Sequence, residues 1–338
     1  MKPVIITIAF MLAILEGIAS VWAGDRFPEG GMADGNFVPC TVLIYDHGQW
    51  LPTEKKNAVD PTKYTFVIIH GAHCCLKKEY ISRLAEALAK ERPDANILAM
   101  DWSAWSAVGA PEITEWIGNI IFKLFGRKTN NPATLTDIFA EIIKKAIPVE
   151  QARHIPETAD RLTWKLFGQA GKVRVFTTLD PNTKTKIRSK MRALGLDPQK
   201  THLIGHSHGA HVAGLVGMIL KKNETGQLDR ISALDPSTSL VHDYPENFMG
   251  TGWDKTAARL VAVFRTTYFF SSDKEATDDS LFFDWRDPNH PYNHPPESSM
   301  KIAGWLWDVI MAEFQNHKNV FDRFAEMIQK TDYLEESL

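Results

Sequence analysis

Thr201-His202-Leu203-Ile204-Gly205-His206-Ser207-His208-Gly209-Ala210-His211 decides how the rest of the chain is read. A short apolar run ends at Gly205, and a small-residue segment of helical character begins at His208. Ser207 stands between them, framed as G-x-S-x-G. A serine held on a sharp strand-to-helix turn takes a backbone angle that a side chain disfavours, so the residues two positions either side of it must be small. Such a turn lifts the hydroxyl clear of the sheet. The free N–H groups at the start of the helix then point at whatever binds there. Ala210, Ala213, Gly214 and Gly217 follow, small enough for close helix–sheet packing. The stretch predicts a buried strand, a presented hydroxyl and a helix, with Ser207 as the candidate nucleophile.

The segments on either side repeat this strand-and-helix rhythm. Thr41–Tyr45 reads as a first strand, and Lys63–His70 as a stronger one of the continuously apolar kind buried on both faces. The latter ends in the small-residue turn His70-Gly71-Ala72. Glu79–Arg92 carries Leu84, Ala87 and Leu88 on one face of an amphipathic helix that Pro93 stops, and Asn96–Trp102 is the next buried strand. Pro181–Leu194 predicts a helix with Gly195 as its C-cap. Beyond the serine turn, Asp229–Leu234 is a strand ending in Asp235-Pro236, Arg259–Phe264 is another, and Leu281–Trp285 extends the sheet. Lys301–Phe314 and Val320–Ile328 close the chain as two amphipathic helices. Alternation of this kind implies an α/β fold, a mostly parallel central sheet with helices on both faces.

The region from about 106 to 168 breaks the rhythm. Ile113, Trp116, Ile117, Ile120, Ile121, Leu124 and Phe125 recur at helical spacing, as do Ile138, Phe139, Ile142, Ile143, Ala146 and Ile147. Two apolar-faced helices with no strand between them predict a helical insertion above the sheet. They serve either as a cover over an apolar pocket that meets a lipid surface or as ordinary core helices. Trp105, Trp116 and Trp164 suit an interface, because indole joins an apolar body to a polar N–H.

Composition bounds the rest. Across 338 residues, 44% hydrophobic and 23% charged content suffice for a globular core. A net charge of −3 without a basic block gives no sign of a nucleic-acid partner. Residues 1–23 read as a signal peptide: Lys2, the apolar run Val4–Leu15, then small residues near Val21-Trp22-Ala23. The alternative is an uncleaved anchor. The expected location is secreted or extracytoplasmic, with residues 24–338 forming one domain. Cys40, Cys74 and Cys75 are the only cysteines. They allow one bridge from Cys40 to the pair, or free thiols, and no spaced Cys/His set predicts a metal site.

A serine hydroxyl is a poor nucleophile at neutral pH and requires a base, itself oriented by an acid. On a doubly wound sheet the partners follow in the order serine, acid, histidine. Asp235, at the C-terminal end of a predicted strand, fits the acid. His290 and His294, both in the loop after the last strand, are the candidates for the base. His242 follows Asp235 too closely, and His317 lies well into the terminal helices. His206, His208 and His211 flank the serine with side chains expected to point elsewhere. An oxyanion requires two preorganised donors. They are expected to be the backbone N–H of His208 and that of Ala72, in the loop after the early strand.

Several segments together resemble the pancreatic-type lipase family of α/β-hydrolases: Val67–Ala72 (VIIHGA), Asn96–Ser103 (NILAMDWS), His202–Gly217 (HLIGHSHGAHVAGLVG), Ile231–Pro236 (ISALDP) and Leu260–Thr266 (LVAVFRT). The resemblance covers most of 60–265 outside the insertion and is weaker to His294, which follows Tyr292-Asn293. It implies the α/β-hydrolase fold, Ser207 as nucleophile, Asp235 as acid, His294 as base, and Ala72 and His208 as oxyanion donors. By that likeness the substrate is a lipid ester, an acylglycerol or phospholipid, met at a membrane or lipid-droplet interface. No metal or organic cofactor is implied. The alternatives are a short-chain esterase, or a non-catalytic lipid-binding protein on the same fold. Two departures stand out: the chain ends too early for the family's C-terminal β-sandwich, and the interval 236–293, where the family carries a cysteine-bridged lid, holds no cysteine. Either the lid is lacking or the 106–168 insertion replaces it. Ala72 also stands where the family often has a bulkier residue.

Overall fold

Successive residues of a strand face opposite ways, so a strand covered on both sides is apolar throughout. Thr65–Ile69 (TFVII, β3) is such a strand, buried at every position. The computed structural model describes residues 41–54, 59–71, 79–102, 149–169, 192–237, 255–268, 281–294 and 302–334. Among these, β3 lies inside a sheet with Thr41–Asp46 (β1), Gln49–Pro52 (β2), Asn96–Asp101 (β4), Thr201–His206 (β5), Leu228–Leu234 (β6), Ala258–Arg265 (β7) and Leu281–Asp284 (β8). The order across the sheet is β2-β1-β4-β3-β5-β6-β7-β8. β1 pairs antiparallel with both β2 and β4, and every pairing from β4 to β8 is parallel. With helices on both faces and Ser207 on a strand-to-helix turn at its middle, this is the α/β-hydrolase fold.

The period of two divides the core into two layers. Val67, Ile69, Leu98, Met100, Leu203, Ile231 and Val261 face one way, against the helices Val149–Phe167 (α2) and His208–Lys222 (α3). Phe66, Ile68, Ile97, Ile204 and Phe264 face the other way, against Glu79–Glu91 (α1) and Ile302–Lys330 (α4). On that second face Tyr333 closes the chain onto the sheet: Ser232 Oγ lies 2.8 Å from the Tyr333 hydroxyl and 2.7 Å from His202 Nε2.

Two expectations change here. The insertion was expected to run to about residue 168, yet 149–167 is a core helix, with Ile155, Ala159, Leu162 and Leu166 fully buried between β4 and β5 in the chain. Its buried face packs in the core layer it shares with α3 and the sheet. The two apolar patterns of 113–125 and 138–147 lie outside the described residues, as do the signal segment, the helix expected over most of 181–194 and all three cysteines. The second change is in the terminal helices, which are one. Gln315–Asn319 contains neither glycine nor proline, so nothing interrupts the backbone ladder between the two predicted pieces.

Candidate active site

β3 and β4 run to one side and β5, β6 and β7 to the other, so the sheet's order reverses between β3 and β5. In open α/β sheets the crevice at the carboxyl ends of the strands beside such a switch is where ligands bind. Ser207 sits there, at the end of β5. It is the N-cap of α3 with φ 53° and ψ −119°, a backbone conformation that a residue with a Cβ rarely adopts, and its side chain makes no capping bond. The turn is braced by the neighbouring strand: Ser207 N–H donates to the Leu234 carbonyl at 2.9 Å.

The flanking glycines are required by close approach. A Cβ on Gly205 would stand 2.4 Å from the Gly209 carbonyl oxygen and 2.5 Å from Ala210 Cα. One on Gly209 would stand 2.3 Å from the Ile69 carbonyl oxygen. Backbone atoms have nowhere to go, so α3 can start this near to β3 and β5 only with hydrogen at both positions.

Asp235 follows β6 in the same way, one strand over, with φ 45°. It is fully buried. Its Oδ1 accepts the backbone N–H groups of Thr266 at 2.8 Å and Thr267 at 3.2 Å, and its Oδ2 accepts the Thr267 hydroxyl at 2.8 Å. The fourth partner is an imidazole: His317 Nδ1 lies 2.5 Å from Asp235 Oδ2. Burial pushes the carboxyl upward, but the bond to His317 and those from residues 266 and 267 outweigh it and hold Asp235 below the ordinary aspartate range. The ionised carboxylate can only accept, so His317 Nδ1 carries the hydrogen, and in the neutral tautomer of that ring the lone pair is on Nε2. The His317 side chain keeps 17% of its area exposed.

α4 brings His317 to this place through several bonds to the end of β7. The Thr266 hydroxyl donates to the Asn316 carbonyl at 3.1 Å. One turn earlier, buried Glu313 accepts the Tyr268 N–H at 2.9 and 3.1 Å with its two oxygens. Glu313 Oε1 also lies 3.2 Å from His290 Nε2.

The imidazole that meets Asp235 is not the one expected. His294 is exposed at the end of a short 3-10 turn, where its backbone N–H meets the Pro291 carbonyl, and the imidazole on Asp235 belongs to His317. His290, the alternative, is buried beside Glu313 and stacks near Tyr268, with ring centroids 5.1 Å apart. A histidine in mid-helix gives no local signal. The only hint in the sequence was that it follows the acid.

Of the two expected oxyanion donors, His208 is the first residue of α3, so its N–H has no carbonyl within the helix to serve. Ala72 lies outside the described residues. Its predecessor Gly71 is buried against the nucleophile turn, where a Cβ would stand 2.9 Å from Ser207 Cβ. His70 fixes the approach to that loop. Its Nδ1–H donates to the Gly71 carbonyl at 2.8 Å, and its Nε2 accepts the Trp102 N–H at 3.3 Å. The Trp102 indole N–H returns to the His70 carbonyl at 2.8 Å. His206, His208 and His211, expected to point away from the serine, are all buried. His206 packs on His317, and His211 Nε2 donates to the Ser237 carbonyl at 2.8 Å in the segment after Asp235.

Comparison with a known protein family covers the part of the chain that bears Ser207 and Asp235 and stops short of α4. Residues 154–270 match the family described as Lipase. Pancreatic lipase-related protein 2 of Cavia porcellus is 38% identical over 74 residues, 22% of this chain and 15% of that protein. Phospholipase A1 member A of Rattus norvegicus is 45% identical over 53 residues, 16% of this chain and 11% of its own length. Lipoprotein lipase of Sus scrofa is 24% identical over 174 residues, 51% of this chain and 23% of that protein. The chain thus aligns with less than a quarter of the length of each of these curated relatives. Among solved structures, a carboxylesterase from Lactobacillus plantarum superposes with a TM-score of 0.32 at 12% identity, covering 84% of this chain and 93% of that one. The aligned portion resembles the catalytic domain of the pancreatic-type lipase family.

Proposed function

We propose that this chain is a serine hydrolase of carboxylic esters, acting on lipid esters through an acyl-enzyme, with Ser207 as nucleophile, His317 as base and Asp235 as acid. His317 replaces His294 in that role. The observation that carries the reading is the Asp235–His317 pair, 2.5 Å apart, at the end of the strand next to the one that ends in Ser207.

In this scheme His317 Nε2 takes the Ser207 proton as the hydroxyl oxygen attacks the ester carbonyl. Asp235, already ionised and bonded to Nδ1, stabilises the imidazolium without itself taking the proton. The scheme assigns the oxyanion to the N–H groups of His208 and Ala72, and the loss of one such donor raises the barrier by about 2.7–4 kcal/mol. His317 then gives its proton to the leaving alcohol and activates water for deacylation. The scheme requires no metal or organic cofactor. The lipid character of the substrate rests on the likeness to lipases and a phospholipase, and export rests on the apolar segment at residues 4–15.

A serine-directed phosphonate with an alkyl chain is the test. Wild-type protein labels stoichiometrically at Ser207, and Ser207→Ala does not label. A panel of triglyceride, phospholipid and short p-nitrophenyl esters, with Ser207→Ala as blank, then defines the substrate. A rate that rises sharply beyond the solubility limit marks a lipase, and simple saturation on short esters marks an esterase. Wild-type protein that binds lipid but neither labels nor turns over any ester is a lipid-binding protein, and the proposal is then wrong.

A further inference from the structure

We infer that His206, the residue before the nucleophile, is a positioning residue that registers the base-bearing helix against the serine turn. The inference rests on the ester-hydrolase reading of Ser207 and His317. The His206 and His317 rings are in tilted contact, with centroids 4.3 Å apart and planes at 44°. His206 Nε2 lies 2.9 Å from the backbone carbonyl of His317. A carbonyl only accepts, so Nε2 carries the hydrogen and Nδ1 is the bare nitrogen. That Nδ1 is buried without a hydrogen-bond partner among the described residues, and the position a Gly71 Cβ would take is 3.0 Å from it.

On its other side the His206 ring meets Phe321, with centroids 4.8 Å apart. His317 and Phe321 stand one turn apart on the same face of α4. His206 therefore occupies the notch between two successive α4 side chains and is hydrogen-bonded to the backbone of one of them. A ring in a notch resists sliding of the helix along its axis, and the bond to a carbonyl resists its rotation. Other ties to this stretch of helix come from Thr266, Tyr268, His290 and Asp235; His206 links it to the turn that bears the nucleophile. Burial, reinforced by the charge His317 would carry, pulls His206 well below the ordinary imidazole range, so it stays neutral through the cycle and keeps the tautomer that donates to the carbonyl.

The arrangement distinguishes a positioning role from simple packing. His206→Phe keeps the ring and removes the donor. His206→Gln loses the ring but puts an amide N–H near the Nε2 position, whereas His206→Asn puts one only near Nδ1. Steady-state kinetics on a soluble p-nitrophenyl ester, on the full chain, read the difference. Displacing reacting groups by about 1 Å costs up to about 100-fold, so His206→Phe and His206→Asn are expected to lower kcat by about tenfold or more with KM changed less than about twofold. His206→Gln is expected to recover kcat to within about threefold of wild type. Wild-type kcat in the Phe variant, or equal loss in the Gln and Asn variants, overturns the inference. If the Phe variant does not fold, the Gln–Asn pair decides alone. Phosphonate labelling of the wild type keeps the two readings apart. A labelled wild type with no Gln–Asn difference sinks only the role of His206, and an unlabelled wild type sinks the hydrolase reading and this inference with it.

Discussion

Glu313 and His317 occupy successive turns on one face of α4, and each meets a partner from the loops beyond the strands. Both partnerships pair a carboxylate with an imidazole: Glu313 with His290 at 3.2 Å, and His317 with Asp235 at 2.5 Å. Their surroundings differ. Glu313 and His290 are both sealed, at 0% and 1% side-chain exposure, while the His317 ring keeps 17% of its area open beside the serine turn. Asp235 is held by two backbone N–H groups and a hydroxyl besides the imidazole, so it is an ionised acceptor fixed in one orientation. Glu313 spends both oxygens on the Tyr268 N–H and so pins α4 to the end of β7. Contact between an acid and an imidazole is thus not a sign of catalysis by itself. The pair proposed as reactive is the one whose ring is partly exposed and packs on His206, next to Ser207, and the sealed pair holds the helix that carries it.

The largest effect that could break this comparison comes from the two acids. Asp235→Asn keeps the shape but offers His317 the wrong hydrogen-bonding partner, and kcat on a soluble ester is expected to fall by about 10⁴. Glu313→Gln is expected to leave kcat of the folded protein within about tenfold and to lower stability by about 1–3 kcal/mol, read from urea denaturation. Comparable kcat losses in both would erase the distinction between the pairs.

A finer cut is Thr267→Val. It removes the hydroxyl bonded to Asp235 Oδ2 and leaves the backbone donors in place. A hydrogen bond to a charged group contributes about 1.5–3 kcal/mol, so kcat is expected to fall about tenfold, with the Tyr268–Glu313 contact and the fold intact by circular dichroism. An unchanged kcat would mean that the orientation of Asp235 does not depend on its full set of donors.

The smallest effect concerns an imidazole with a carbonyl partner, as a foil to the two acid-paired ones. Burial pulls His211 down to about 4. In the unfolded chain it titrates near 6.5, so between those values the unfolded state binds the extra proton. His211 therefore costs nothing above pH of about 6.5 and lowers stability by up to about 1.4 kcal/mol per pH unit as the pH falls from there toward about 4. His211→Gln keeps a donor for the Ser237 carbonyl, and it is expected to flatten the stability–pH curve in that window by one proton. An unchanged slope would show that His211 does not titrate on unfolding.

How much of this was legible in the sequence follows from how far each constraint reaches along the chain. β3, β4, β5, β6 and β7 were readable because strands covered on both sides leave continuous apolar runs, and the observed bounds differ from the expected ones by one or two residues. The serine turn was readable because Gly205 and Gly209 answer a local demand, that backbone atoms come within 2.5 Å of where a Cβ would be. Asp235 shares this property, standing at the end of its own strand. His317 does not. Its position depends on a helix of 29 residues crossing the far face of the sheet, and on bonds from Thr266 and Tyr268 that no nearby residue announces. The weak match near Tyr292-Asn293-His294 drew the expected base to a loop away from the imidazole that meets Asp235, because a histidine in a polar loop resembles a catalytic one more than a histidine inside an amphipathic helix does. The contact His206 makes with His317 went unread for the same reason, since that partner is more than a hundred positions away.

Phosphonate labelling of His317→Ala, His294→Ala and His290→Ala beside the wild type tests the assignment of the base most directly. His317→Ala is expected to reduce labelling of Ser207 and ester turnover by about 10³ or more while remaining folded, with His294→Ala and His290→Ala both labelling like the wild type. Full labelling of His317→Ala together with silence of His294→Ala would contradict the account and return the base to the loop after β8.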